Sequence, residues 1–346
     1  MKPLLSLLWN FGSSIVMKMN NPLWRRLVSI PLVLTVFPFM VATAFLWLPI
    51  SFFLGLFLKS AQSATRCLCF ITVYLACEWA GIVASFYLWL KYRLAGGDGK
   101  DYLNTNSRLQ FWWADTLKFA AQKLFRLNFV VEGQASLAGP GAILLPRHSS
   151  IGDTVLPMSF YAIPRSFQVR YVLKKELLLD PCLDIVGNRL PNVFLDRVAE
   201  DMTAELASLQ RLAAEASERE SLVIYIEGTR FSLQKRQRII RSLAASGNSD
   251  ALQRAERLTS VLPPRPAGVL ALMRGAPQKD LLFCAHTGFE GSASFAKLFN
   301  GGWMDTTVRL RFWRVAAADI PADDEGRRAL LLAHWDKMNL AVVDMS

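Results

Sequence analysis

Residues that build metal centres and disulfide frameworks are scarce in this chain. Among 346 residues there are three histidines, His148, His286 and His334, and five cysteines. The histidines lack ligand spacing, so no metal is expected. Cys67, Cys69 and Cys77 lie in or beside an apolar run, while Cys182 and Cys284 stand alone. An odd count with these spacings fits no disulfide framework. Five reduced, mostly buried thiols are expected, in a reducing compartment. No internal repeat and no low-complexity tract is present. Aromatic residues are not interleaved with basic ones as in single-strand nucleic-acid binders, so no nucleic-acid partner is expected. Charge is missing altogether from residues 31 to 58.

What is present is apolar and basic. Apolar residues make up 52% of the chain and the net charge is +11. The apolar excess is concentrated before residue 95, and mean hydropathy is +0.26. A basic balance suits acidic lipid headgroups, phosphorylated cofactors or nucleic acid. By composition alone, a non-catalytic basic membrane protein that binds anionic lipid is the alternative to an enzyme.

The uncharged run at about 31–58 is roughly 40 Å long as a helix, against about 30 Å for a bilayer core. Pro38 and Pro49 interrupt it, so a kinked or re-entrant course competes with a straight span. A second run, about 69–90, carries Glu78 near its middle. A carboxylate there faces the partner helix or a wet cavity, or stays protonated. Trp24, Trp47, Trp79, Tyr87 and Trp89 are candidate interfacial anchors. Lys18, Arg25 and Arg26 precede the first run, Lys91, Arg93 and Lys100 follow the second, and Lys59 and Arg66 lie in the connecting loop. That bias favours a membrane hairpin with both ends, and the following domain, in the cytoplasm. The stretch Leu4–Trp9 lacks a following small-residue cleavage site and reads as an interfacial segment rather than a cleaved signal.

Residues 94–104 read as a linker, dividing an N-terminal membrane segment (1–104) from a domain at 105–346. Leu109–Phe125 reads as an amphipathic helix too apolar for a solvated face. Strand-like runs then appear at Phe129–Val131, Ala142–Leu145, Val169–Leu173, Val193–Leu195, Leu222–Ile226, Leu281–Ala285 and Val308–Val315. Helical patterns, among them Ala199–Glu218 and Ala267–Gly275, separate most of them. The fold class expected is α/β, a mixed, largely parallel sheet with helices on both faces. Working residues in such sheets collect beyond strand carboxyl ends. His148, Asp196-Arg197, Glu227 and His286 each follow one.

Four clusters carry chemistry. His148 and Asp153 form His-x4-Asp after the strand Ala142–Leu145. A carboxylate on one ring nitrogen fixes the tautomer and raises the basicity of the other. The structural alternative is Asp153 as a helix-dipole partner, with Ser149 or Ser150 as cap. Glu227-Gly228-Thr229-Arg230 offers close backbone approach at glycine and a bidentate grip on phosphate at arginine. Its alternative is a turn with a surface ion pair. Gly187…Phe194-Leu195-Asp196-Arg197 offers Arg197 for a second phosphate oxygen, or only a capped helix start. Leu262-Pro263-Pro264-Arg265-Pro266-Ala267-Gly268 is a rigid loop, or simply a proline turn.

Together and in this order the four resemble the signature of the 1-acylglycerol-3-phosphate acyltransferase family of lysophospholipid acyltransferases, over about residues 105 to 345. The resemblance is closest to the longer, lysocardiolipin-type branch. Phe231 after Arg230, the basic spacer with Lys235, Arg236, Arg238 and Arg241, and Pro264-Arg265…Gly268 carry it. It implies acyl transfer from an acyl-CoA or acyl carrier protein, as co-substrate rather than cofactor, to the hydroxyl of a lysophospholipid in a membrane. His148 is then the base and Asp153 its orienter. Backbone amides at the helix start are candidate oxyanion donors. Arg197, Glu227, Gly228, Thr229, Arg230 and Arg265 line the acceptor site, Glu227 by positioning Arg230. Another lysolipid, lysocardiolipin-like or an aminolipid precursor, is the alternative acceptor. His286 departs from the pattern and reads as a buried histidine satisfied by backbone.

Overall fold

The computed structural model describes residues 21–96, 98–196, 202–290 and 295–346. The Leu4–Trp9 stretch and Arg197 lie outside them. Three apolar helices come first: α1 (Pro22–Ala42), α2 (Ala44–Phe57) and α3 (Lys59–Ala95). Asn21 starts α1 by accepting from the Leu23 amide at 2.9 Å, with Pro22 in the first turn, where its missing N–H is no loss. The chain stays helical through Pro38 and Pro49 and breaks instead at Thr43, whose hydroxyl donates to the Phe39 carbonyl at 2.8 Å. Such side-chain bonding competes with the helical ladder. Leu58 alone joins α2 to α3, in extended conformation. Gly55 permits the tight turn-back, since a Cβ there would stand 3.3 Å from Gln62 Cα. The expected basic loop is therefore absent: Lys59 and Arg66 sit on α3 itself.

The expected linker is equally short. Gly96, at φ +63°, closes α3, and Asp98 opens α4 (Gly99–Phe125) by accepting from the Lys100 amide. The helix expected from Leu109 thus begins at Gly99, and position 104 falls inside it.

Seven strands follow: β1 (Asn128–Glu132), β2 (Ile143–Pro146), β3 (Gln168–Lys174), β4 (Val193–Leu195), β5 (Glu220–Val223), β6 (Leu281–Thr287) and β7 (Thr307–Val315). They form one sheet in the order β1-β7-β6-β2-β5-β3-β4. β7 runs parallel to β1 and antiparallel to β6, and every other neighbouring pair is parallel. The sheet is mixed and largely parallel, as the alternating pattern predicted. Helices α5 (Pro181–Gly187), α6 (Met202–Ala214), α7 (Leu233–Ser246), α8 (Ser249–Arg257), α9 (Pro266–Gly275), α10 (Phe295–Phe299) and α11 (Asp324–Met345) complete the chain.

Alternate strand residues serve opposite faces. Ile143 and Leu145 pack with Leu209, Val269 and Trp335, whereas Leu144 packs with Ala121, Phe125 and Trp303. Central strands covered on both sides read as unbroken apolar runs, which is why they were visible in the sequence. Each such fully buried side chain contributes about 1.5–3 kcal/mol.

α3 lies along the domain. Ser63 and Cys67 donate to the Leu298 carbonyl, both at 3.4 Å, and Arg66 to Leu124 at 2.7 Å. Tyr74 donates to Asp180 at 2.5 Å, and Arg189 to the Ser85 carbonyl at 3.0 Å. Glu78, completely buried, faces the domain rather than a second apolar helix. It accepts from the Trp113 indole at 2.7 Å and the Cys182 amide at 3.1 Å. From Ser63 to Ser85 this contact runs roughly 33 Å at the helical rise. The other sides of these helices stay bare: Phe39, Phe45 and Phe53 are more than half exposed, and Phe57 is 84% exposed. By length and composition, Pro22–Ala42 and Lys59–Leu94 are each sufficient to cross a membrane.

Arg25 fastens α1 to α5. It is 4% exposed and grips Asp184 through Nε at 3.1 Å and Nη2 at 2.7 Å, while Arg26 Nε reaches the same carboxylate at 3.0 Å. Asp184→Ala is expected to cost about 3–5 kcal/mol, because it leaves Arg25 buried without its counter-charge. Thermal melting in detergent should show a lowered transition, with a new protease cut near residue 25. An unchanged melt would remove the pair as the anchor of α1.

Candidate active site

The site is assembled at the carboxyl ends of β2, β5, β6 and β3. β2 ends at Pro146, and Arg147 carries the chain past its neighbours. Arg147 is 2% exposed, and its guanidinium donates to the His286 carbonyl at 2.6 Å, to Glu290 at 2.5 Å and to the Ser260 carbonyl at 2.9 Å. This buried cation fixes the backbone from which His148 projects. Its importance was invisible in the sequence, where it reads as the flank of a motif.

His148 Nδ1 donates to Asp153 Oδ1 at 3.1 Å, so Nε2 is the nitrogen left for a substrate. The segment between them is not a regular helix start. It curls so that the Ser149 and Ser150 amides donate to Asp153 Oδ2 at 2.6 and 2.8 Å, ahead of a single turn at Gly152–Val155. Those amides are therefore engaged by the carboxylate, and the Gly152 amide by the Ser150 hydroxyl at 3.0 Å. They do not supply the expected oxyanion donors. Burial alone would push the Asp153 carboxyl up, but its bonds to His148 and His286 outweigh this and hold it below the usual carboxylate range.

His286, fully buried, donates from Nε2 to the Arg147 carbonyl at 3.0 Å and stands 3.6 Å from Asp153 Oδ2. Backbone holds it at Nε2, as expected of a buried histidine, while its Nδ1 has no hydrogen-bond partner among the described residues. His334 is elsewhere, accepting from the Trp313 indole at 2.9 Å. Tyr225 completes the dyad's frame. Its ring lies 4.4 Å from the His148 ring, centroid to centroid, and its hydroxyl donates to the Asp153 carbonyl at 3.1 Å.

Glu227 does not position Arg230. Its Oε1 accepts from the His148 amide at 2.6 Å and its Oε2 from the Leu262 amide at 2.8 Å. One buried carboxylate thus joins the first, third and fourth sequence clusters. Gly228 makes the turn at φ +71°, a conformation that glycine adopts without strain. Thr229 accepts from Lys235 Nζ at 2.8 Å, and the Arg230 carbonyl accepts from the same ammonium at 3.0 Å. The Phe231 amide returns to the His148 carbonyl at 2.6 Å, and the Arg265 amide to the Ile226 carbonyl at 2.9 Å.

A cavity of ≈ 940 Å³ opens in front of His148. Gly228, Arg230 and Arg265 line it; Glu227 and Thr229 do not, and brace the loop from behind. Lys174 lines it too and was missed, although the strand-end argument applied to β3 points straight at it. The rest of the wall is apolar, including Phe70, Trp112 and Leu117 from α3 and α4. Asp196, beside the undescribed Arg197, pairs with Lys175 at 3.1 Å. Among the described residues, no three histidine, cysteine or carboxylate side chains gather as a metal site.

The acyltransferase family model matches residues 128–267, from β1 through the Arg265 loop. These residues form an acyltransferase domain. A solved structure similar to this chain is the crystal structure of the 1-acyl-sn-glycerophosphate (LPA) acyltransferase PlsC from Thermotoga maritima, at 13% identity and a TM-score of 0.42. The similarity covers 75% of this chain and 95% of that one. No curated protein matches. Within the acyltransferase domain, the matched segment carries His148, Asp153, Glu227, Arg230 and Arg265 together.

Glu227 gives this domain a pH-dependent stability. Burial pushes its carboxyl up to about 8, against the pull of the Leu262 and His148 amides and the Arg147 charge. The unfolded carboxyl titrates near 4.5, so the folded protein holds the proton more tightly. That contribution is full below the unfolded value and is lost as pH climbs through about 8. Melting temperatures of Glu227→Gln should lie below wild type at low pH, since an amide N–H₂ then faces a backbone donor. The gap should narrow as pH rises through the window. A gap independent of pH would contradict the titration.

Proposed function

We propose that this acyltransferase moves a fatty acyl group from a thioester, acyl-CoA or acyl carrier protein, to the free sn-2 hydroxyl of lysophosphatidic acid, giving phosphatidic acid. One observation carries the reading: His148 lies on the wall of a cavity that is apolar along α3 and α4 and cationic at Lys174, Arg230 and Arg265. A one-tailed anionic lipid has that same division. The volume is at the upper end of the about 300–1,000 Å³ of small-molecule sites.

His148 Nε2 takes the hydroxyl proton as the oxygen attacks the thioester carbonyl. Asp153 holds the ring and stabilises the imidazolium, which returns the proton to the departing thiolate. Such general base catalysis typically supplies about 10²–10⁴ in rate. Ser149 and Ser150 are structural, and no acyl-enzyme forms. Arg230 and Arg265 grip the acceptor phosphate; Arg197 is the further candidate by its place in the sequence motif. Phe231 and the basic pair α7–α8, inserted between Arg230 and Arg265, support placement in the longer, lysocardiolipin-type branch. That branch keeps a larger, doubly anionic lysolipid as the second acceptor to assay.

The protein works at a membrane, the cytoplasmic one in a bacterium, with the domain on the cytoplasmic side. The long contact between α3 and the domain supports helices seated in one leaflet, with the cavity open to lipid.

His148→Ala should lower kcat by about 10²–10⁴ with lysophosphatidic acid and a labelled acyl thioester, while membrane association persists. Wild-type turnover in that variant would remove the base assignment. Arg230→Ala should chiefly raise the acceptor KM. A pure kcat defect with normal acceptor affinity would count against its phosphate role.

A further inference from the structure

A second cavity, ≈ 800 Å³, lies where α1, α3 and α5 meet, and it shares no lining residue with the catalytic one. We propose that it binds an anionic phospholipid that is not the reacting substrate, with the phosphate at Arg26 and Arg189 and the chains along α1 and α3.

Its polar part is cationic in excess. Arg25 and Arg26 share one carboxylate, Asp184, and Arg189 adds a third positive charge near Arg26. Three positive charges less one negative leave two. Among the described residues the partners of the Arg189 guanidinium are neutral: the Ser85 carbonyl at 3.0 Å, Asn106 Oδ1 at 3.3 Å and the Tyr102 ring at 5.6 Å. Burial pulls the Arg189 pKa down, and the neighbouring Arg26 charge adds to that pull. Two neighbouring guanidiniums, of which only Arg26 has a carboxylate partner, are the arrangement an anion relieves.

A second observation points to a ligand independently of charge. Ser85 lines this cavity at 1% exposure, and its hydroxyl has no hydrogen-bond partner among the described residues. A buried hydroxyl left unbonded costs about 1–3 kcal/mol. A phosphate or glycerol oxygen in the cavity would accept its proton.

The apolar part of the lining selects a lipid over a free anion. Leu34, Val83, Phe86 and Trp89 belong to it, and the last three are 45%, 61% and 48% exposed. They continue onto the bare apolar side of α1–α3. A soluble phosphate has no use for that wall, whereas an acyl chain has.

The test uses the full chain in detergent and native mass spectrometry, with dioctanoyl phosphatidylglycerol as probe. Dioctanoyl phosphatidylcholine and inorganic phosphate are the comparison arms. A phosphatidylglycerol adduct is expected that phosphate does not displace and that phosphatidylcholine does not reproduce. Arg230→Ala, which weakens the catalytic site, should leave it in place. Arg26→Gln with Arg189→Gln should weaken it at least about tenfold, the loss for one charge-assisted contact. Val83→Trp, which fills the apolar part and leaves the charges alone, should weaken it as well, and decides the matter if the double variant melts early. Equal retention in Val83→Trp and wild type overturns the lipid site. Displacement by phosphate reassigns it to a soluble anion, and equal binding of phosphatidylcholine removes the role of the arginines.

Discussion

The bond network around the Asp153 carboxylate is the constraint on which the site depends. A fully buried carboxylate is tolerated only when its charge is met. Here the Ser149 and Ser150 amides, His148 and the nearby His286 meet it. That demand curls the chain after β2 and fixes which ring nitrogen of His148 faces the cavity. Tyr225 packs on the imidazole and ties its hydroxyl to the same segment. The orientation of the His148 imidazole is thus a by-product of keeping one negative charge satisfied in an apolar interior.

Around this centre the loops are held by two further buried polar groups, the Arg147 cation and the Glu227 carboxyl, rather than by apolar contact. Arg147 ties the end of β2 to the end of β6 and to residue 260, and Glu227 ties His148 to Leu262. Leaving a buried ion or buried polar group without its partners costs about 1–3 kcal/mol or more, so these loops have little freedom to drift apart. Arg230 and Arg265 differ in kind. They line the cavity, and among the described residues their guanidiniums have no hydrogen-bond or ion-pair partner, which leaves their charge for a ligand. Bracing residues and binding residues are therefore distinguished by what they touch, although both kinds sit in the same short motifs.

Much of this was legible in the chain. The seven strands were visible because parallel strands buried on both faces leave continuous apolar runs, such as Leu281–Ala285. His148 with Asp153 was visible because a dyad of near neighbours is a local pattern. Less visible were the roles within a motif. Glu227 and Arg230 look alike as candidates, and only the partners in space separate a carboxylate that bonds two amides from a guanidinium that faces a cavity. Lys174 was missed because a lone lysine at a strand end carries no motif. The break at Thr43 was missed because proline was the stronger local signal.

Periodicity and motif spacing, both local in the chain, determined the α/β class, the apolar helices at the N-terminal side and the pairing of His148 with Asp153. Tertiary structure alone decided that α3 lies along the domain, that Glu78 bonds Trp113 and Cys182, and that the amides beside His148 are taken up by Asp153. Those outcomes depend on which groups meet across long separations in sequence. A buried polar group takes the partner that the fold brings to it, and no pattern of neighbouring residues records which one that will be.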